Sequence, residues 1–249
     1  MRYPYSYHYV VPSYDCDPLL RLKASATLRY FQEAATRHLD SLNLNYERLQ
    51  EEGIVFVLAT QAIKFYDVPH YGDSIQILTA PVAGRGAHML RETVIADLKG
   101  TVLVEGQASW AMLNPDTGRP LRASEFHHTL PLLSDWTPFC DPSRLRMKAS
   151  EESRGTRMVR FSDLDRNFHM NNTVYADVLL DCFTQPLVQS GGVDELFLRY
   201  RAQAELGKEM TLSGGFDGAR YVLAARLKEL PCFEGAFSLK QLDLPVTGC

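Results

Sequence analysis

The chain writes one pattern twice, and that repetition narrows the folds open to it more than its composition does. Asp15-Cys16-Asp17 leads into a run whose apolar residues include Leu28, Phe31, Ala35, Leu39 and Leu42. Asp163-Leu164-Asp165 leads into a second, with Val174, Val178, Leu179, Cys182 and Phe183. The two openings stand 148 positions apart, at 15 and 163. Spacings of three, four and five residues gather each apolar set on one helix face. Strand-like stretches follow: 54–66, 74–82, 88–96 and 101–113 in the first half, then 195–200, 209–213, 219–228 and 233–242 in the second. Turn residues at Pro69–Asp73 and Asp97–Gly100 punctuate the first set. Phe65 and Gly72 correspond to Tyr200 and Gly207 at a displacement of 135. The contraction from 148 to 135 fits a second half that lacks a counterpart of the Asn43–Gly53 stretch.

One long helix followed by consecutive antiparallel strands, repeated once, predicts two α+β units. That pattern matches the hot-dog fold, a curved antiparallel sheet around a central helix, here as a fused tandem pair. A lone unit leaves a sheet edge and an apolar helix flank uncovered, so burial favours pairing. The expected layout is a first unit over 1–130, a linker rich in Pro, Ser and charge over 131–155, and a second unit over 156–249. Further pairing of two chains into a homodimer is compatible with this layout and not required by it.

Composition removes several functional classes. An apolar share of 45% with 22% charged residues fits a folded globular protein. A net charge of −4 argues against a dedicated nucleic-acid binder, which needs a basic excess. No apolar run approaches the roughly 18–20 residues of a membrane span. The opening residues, Met1 to Tyr5, lack the apolar core of a secretory signal, and a basic, Ser-rich transit segment is absent as well. Five scattered cysteines (Cys16, Cys140, Cys182, Cys232 and Cys249) form no CxxC pair, which predicts reduced thiols in a cytoplasmic protein and no structural zinc. His127-His128 has no acidic or thiol partner at ligand spacing. There is no phosphate-binding glycine loop and no G-x-S-x-G elbow.

The chemistry-bearing residues crowd just before the second helix, in Asp165-Arg166-Asn167-Phe168-His169-Met170-Asn171-Asn172. A helix start exposes unpaired N–H groups that can hold a developing oxyanion while a neighbouring side chain manages a proton. Asn167 donates and accepts without ionising, and His169 titrates near neutrality. Asp165 can orient an imidazole, hold a water or accept a proton. Asn171 and Asn172 suit helix capping and turn rigidity. In the first half the corresponding residues are Asp17, Leu19 and Arg21. Leu19 has no polar group and Arg21 cannot act as a base, so that half reads as catalytically silent.

The D-x-N-x-H-x-N-N pattern over 165–172 resembles the signature of the acyl-ACP thioesterase family, and the chain is identified as a member of bacterial type. Tyr30 to Ala35 is similar to the family's central-helix segment, and Ser109 to Pro120, with Trp110 and Arg119, to its late strand and turn. The resemblance implies hydrolysis of fatty acyl-acyl-carrier-protein thioesters to free fatty acid and carrier thiol, ending chain elongation in fatty acid biosynthesis. It implies an acyl carrier protein bearing fatty acyl-phosphopantetheine as partner, no metal or organic cofactor, and an acyl-chain pocket built largely by the silent unit. Catalysis would fall to Asp165, Asn167, His169 and, from a strand resembling Leu196–Arg201, Gln203. The family commonly has Glu, sometimes followed by Cys, where this chain has Gln203 and Ala204. Ala204 rules out a thiol nucleophile there, and Gln203 can hold a water or a carbonyl but cannot act as a carboxylate base. Glu205 is held in reserve. An acyl-CoA thioesterase and a non-catalytic acyl-thioester-binding protein are the alternatives. Arg144, Arg146, Lys148, Arg154, Arg157 and Arg160 form the densest basic stretch, and Arg154 and Arg157 are the expected carrier-docking residues.

Overall fold

A computed structural model of the chain describes residues 3–85, 88–134, 136–141, 147 and 151–241. It divides into two compact units, Met1–Arg146 and Met147–Cys249. In the first unit, β1 (Tyr5–Val10) precedes α1 (Ala24–Ser41) and α2 (Tyr46–Glu51), followed by β2 (Val55–Phe65), β3 (Ser74–Arg85), β4 (His88–Asp97) and β5 (Val102–Leu113). The strands pair antiparallel in the order β1-β3-β4-β5-β2. Leu28, Phe31 and Ala34 on α1 are buried, as the apolar spacing demands. Gly106 on β5 lets the helix seat closely: a Cβ there would stand 2.0 Å from Phe31 Cε2. The unmatched Asn43–Gly53 stretch holds α2, whose first turn is capped by Asn45 accepting from the Arg48 N–H at 3.0 Å.

The second unit runs β6 (Ser153–Met158), α3 (Val174–Asp181), α4 (Thr184–Val188), β7 (Val193–Tyr200), β8 (Glu209–Phe216), β9 (Tyr221–Leu227) and β10 (Leu230–Leu239). Its strand order is β7-β10-β9-β8-β6, again antiparallel throughout. The second helix is broken where one was expected, with Phe183 between the pieces at φ −136° and ψ 39°. Pro186 explains the break, because its ring would clash with the carbonyl four residues earlier and it offers no N–H. Two edge strands lay outside the expected set. β1 carries alternating tyrosines, and β6 reads SRGTRM, polar enough to pass for linker. The described part of 131–155 is built into the units. The Leu133 N–H donates to the Pro81 carbonyl at 2.9 Å, the Trp136 indole to Glu92, and Ser153 opens β6.

The first sheet buries polar groups on both faces. Thr93 pairs with Gly106, which faces α1, so Thr93 and Arg91 also face the helix and Glu92 faces away. Arg91 Nη1 lies 3.2 Å from His38 Nδ1 and donates to Thr79 Oγ1 at 3.1 Å. Burial, then the Arg91 charge, pulls His38 down to about 4. On the other face, burial and then Glu105 push Glu92 up to about 7, against donors from Trp136, Tyr3 and Gln107. The two groups act in opposite directions. As pH falls through His38's ordinary 6.5 toward 4, the unfolded chain binds a proton that the folded chain refuses, and stability drops. As pH rises from 4.5 toward 7, the folded chain keeps on Glu92 a proton that the unfolded chain has lost, and stability drops again. Glu92→Gln removes only the second slope. Relative to the parent, this variant should gain stability between pH 4.5 and 7, by roughly 1 kcal/mol per pH unit. Urea midpoints measured across that range check it, and a pH-independent difference would sink it.

Candidate active site

The turn that carries the signature is tied at its base by Asp163. Its buried carboxylate accepts the Arg160 N–H at 2.7 Å and two bonds from Arg157 Nη2 at 2.8 and 2.9 Å, while its carbonyl accepts the Asn171 N–H at 2.8 Å. Inside this frame Asp165 Oδ1 accepts the Asn167 N–H at 2.8 Å, and the Asp165 N–H donates to the His169 carbonyl at 2.9 Å. Phe168, at φ +61°, makes the reversal. Asn171 Oδ1 accepts both the N–H and the hydroxyl of Thr173, at 2.9 and 2.8 Å, just ahead of α3. The Val174 N–H also donates to the Asn171 carbonyl at 3.0 Å. These two N–H groups are therefore spent on the turn. Asn172 contributes its carbonyl, which accepts the Tyr200 hydroxyl at 3.0 Å.

Aromatic residues brace the turn from below. Tyr175 on α3 stacks on Phe233 at 4.8 Å and meets Tyr200 edge-on at 5.6 Å. Burial pushes both phenols well above their ordinary range, so they are neutral donors and acceptors. In the sequence Tyr200 served as a landmark of the repeat, and neither tyrosine was assigned to the site. Their signal was a pair of aromatic residues flanking the signature in chain and sheet, which is common in unrelated cores.

The second segment of the site runs beside the first. β7 ends at Tyr200, and the following residues bend back so that the Met170 N–H donates to the Ala204 carbonyl at 2.8 Å. An isolated antiparallel bridge joins His169 to Glu205. Ala204 is fully buried while Gln203 and Glu205 are exposed, so the alternation of a strand persists past its formal end. Asp165 and His169 are half-buried and Asn167 is exposed. Asp165, Asn167, His169 and Gln203 thus occupy two adjacent backbone segments. Among the described residues no hydrogen bond links the His169 ring to Gln203 or to Glu205.

The first unit reproduces this backbone almost bond for bond. The Asp17 N–H donates to the Arg21 carbonyl at 2.8 Å, Asp17 Oδ1 accepts the Leu19 N–H at 2.9 Å, and Leu20 takes the reversal at φ +61°. The Leu22 N–H donates to the Pro69 carbonyl at 2.7 Å, and Arg21 bridges His70. These partners sit at the displacements of 148 and 135 found in the sequence. Here, however, the Asp17 carboxylate is engaged by Arg21 Nε at 2.8 Å. The scaffold is shared and the chemical groups are not.

The two arginines expected to dock a carrier have structural work. Arg157 forks the buried Asp163, as described. Arg154 donates through Nε to the Gly214 carbonyl at 3.1 Å and lies 4.9 Å over the Phe183 ring. Reversing Arg157 to Glu would set a carboxylate against Asp163, so its loss would report folding before docking. Arg144, Arg146 and Lys148 lie outside the described residues. Of the cysteines, Cys16, Cys182 and Cys232 are free thiols, and Cys249 lies outside the described residues. Burial pushes Cys232 up to about 11, which leaves no thiolate near neutral pH.

Comparison with known proteins follows the same two-part division. A family model described as the acyl-ACP thioesterase N-terminal domain matches residues 2–127, and one described as the C-terminal domain matches 147–225. A chloroplastic palmitoyl-acyl carrier protein thioesterase of Cuphea hookeriana is 22% identical over 244 residues, covering 89% of this chain and 58% of that protein. Oleoyl-acyl carrier protein thioesterase 1 of Arabidopsis thaliana is 23% identical over 225 residues, covering 81% of this chain and 60% of its own length. The chain spans little more than half the length of these relatives. Among solved structures, an acyl-ACP thioesterase from Bacteroides thetaiotaomicron superposes with a TM-score of 0.86 at 19% identity, covering 95% of this chain and 97% of the other. The 12:0-ACP thioesterase from Umbellularia californica gives 0.78 at 15% identity, covering 95% and 96%. At these identities the structural likeness speaks for the fold, the hot-dog arrangement expected from the repeat. No helix among the described residues is long and apolar enough to cross a membrane.

Proposed function

The chain belongs to the acyl-ACP thioesterase family, and on that premise we propose that it hydrolyses fatty acyl thioesters carried on acyl carrier protein, within fatty acid biosynthesis. Water adds to the thioester carbonyl, the carbon–sulfur bond breaks, and the products are a free fatty acid and the carrier's phosphopantetheine thiol. The observation that carries this reading is the paired turn: one backbone design occurs twice, and only the second copy bears Asn167 and His169. In this scheme Asn167 polarises the carbonyl through its amide, and His169 takes the proton from water and returns it to the leaving sulfur. Asp165 shapes the turn through its bond to the Asn167 N–H. Asn171 and Asn172 support the turn and the start of α3. The first unit lines the acyl chain. The protein acts in the cytoplasm, and the free thiols support a reducing compartment.

Gln203 stands where the family pattern commonly has Glu, and its exposed amide suits holding the attacking water. Gln203→Ala should lower turnover, and Gln203→Glu should be tolerated or improve it, because a carboxylate can hold the same water and also accept its proton. Steady-state kinetics on the two purified variants decides this. Loss of activity in Gln203→Glu with the fold intact would mean that the amide's donor is required.

Acyl-CoA is the second substrate reading, and the structural employment of Arg154 and Arg157 favours keeping it open. Hydrolysis of matched acyl-carrier and acyl-CoA substrates, side by side, tests the proposal. A preference for the carrier that weakens as salt rises supports protein docking, since exposed attractions are screened over about 8–10 Å. Absence of hydrolysis on both substrates would overturn the enzymatic reading.

A further inference from the structure

We propose that Glu205 is the positioning carboxylate of this site, facing the His169 imidazole across the two paired segments and orienting it for proton transfer. The proposal rests on the reading of His169 as the proton carrier. The argument begins with the bridge between the two residues. In an antiparallel ladder, facing residues alternate between hydrogen-bonded and non-hydrogen-bonded pairs, and the second kind brings Cα atoms to about 4.5 Å with side chains closest. The bond that defines this bridge runs from the Met170 N–H to the Ala204 carbonyl, on the residues flanking His169 and Glu205. His169 and Glu205 are therefore a non-hydrogen-bonded pair, and their side chains leave the same face with Cβ atoms about 4.5–5.5 Å apart. Gln203 lies two residues further along, opposite Asn171, and the shared exposure of Gln203 and Glu205 around buried Ala204 puts both on the same side.

The silent unit supplies an internal comparison. Its equivalent facing pair is Arg21 and His70, joined by the matching bridge and the matching bond from the Leu22 N–H to the Pro69 carbonyl. A guanidinium offers no acceptor to an imidazole N–H, whereas a carboxylate does. The unit that bears Asn167 and His169 is also the unit that places an acid across from the histidine. The other groups near the ring are Asp165, whose Oδ1 accepts the Asn167 N–H, the phenols of Tyr175 and Tyr200, which burial keeps neutral, and Lys208 at the far end of the 205–208 turn. Arg166, on the same turn as His169, is exposed. The second carboxylate that the chain lacks at 203 is thus supplied two residues later, acting through His169 and not on the water.

The test uses the full chain and three substitutions. Both kcat and KM are measured across pH on acyl-carrier substrate in the parent, Glu205→Gln and Glu205→Asp. Glu205→Gln should reduce kcat by about tenfold with little change in KM, and displace the acid limb of the kcat profile. Glu205→Asp should restore most of both. If Glu205→Gln leaves the acid limb in place, the pairing is wrong, whether or not activity falls. His169→Ala separates the two claims. If that variant keeps full activity, the role given to His169 fails, even where the Glu205→Gln effect stands.

Discussion

Turnover should fall by about 10²-fold or more when His169 is replaced by Ala, the scale of a lost general acid–base group. His169 is half-buried and its backbone, not its ring, holds the turn: the carbonyl accepts the Asp165 N–H at 2.9 Å. The substitution therefore removes the imidazole and leaves the turn's hydrogen bonds in place. Asn167→Ala should cost a similar factor, because the amide is assigned to the carbonyl whose charge develops in the transition state. Arg21 occupies the equivalent place in the first unit, and Arg21→Ala should leave turnover nearly unchanged despite losing its bond to Asp17. The measurement is kcat under saturating substrate, with near-ultraviolet circular dichroism to show that each variant is folded. A folded His169→Ala protein with full activity would place the proton transfer on another residue.

The largest loss of stability should follow Phe233→Ala. Phe233 is fully buried on β10, with Tyr175 stacked at 4.8 Å and Tyr200 at 5.8 Å. Removing the ring forfeits its transfer free energy and leaves a hole that two tyrosines and Leu179 border, for a cost of about 3–5 kcal/mol. For a chain of this size that corresponds to a drop in Tm of roughly 10 °C. The same hole loosens Tyr200, whose hydroxyl holds the Asn172 carbonyl, so activity should fall at temperatures where the unit is still folded. Thermal unfolding and a temperature series of the rate test the two parts separately. A Tm within about 2 °C of the parent would show that the neighbours collapse into the space.

Much of the fold was legible because it is repeated. The displacement of 148 between Asp15 and Asp163 reappears in the turns, the reversals at Leu20 and Phe168, and the bridges that close them. What escaped was governed by contacts the local pattern does not encode. Among the described residues β6 pairs only with β8, and an edge strand with one neighbour can be polar on both faces. The break after α3 depended on a single Pro186 inside an otherwise helical pattern. At the site, the residue types came from the signature, but the facing of His169 and Glu205 did not. It arises from a register between segments 36 positions apart, which no local spacing reports. For a related reason, charge counted along a chain does not show which guanidinium already pairs with a buried carboxylate, as Arg157 does with Asp163.

The reversals at Leu20 and Phe168 have a consequence for how such a chain can change over generations. Both are bulky residues at φ +61°, a conformation that costs a non-glycine residue about 1–2 kcal/mol, and neither recovers that cost by burying its side chain. The first-unit copy, with Leu19 and Arg21 where the second has Asn167 and His169, carries the same strain. The strain therefore belongs to the architecture of the turn and not to catalysis. Selection on activity and selection on folding consequently act on different atoms here, backbone for one and a few outward side chains for the other. A duplicated half can lose its reactive groups by drift without endangering the fold, and the same separation leaves it open to acquiring new ones.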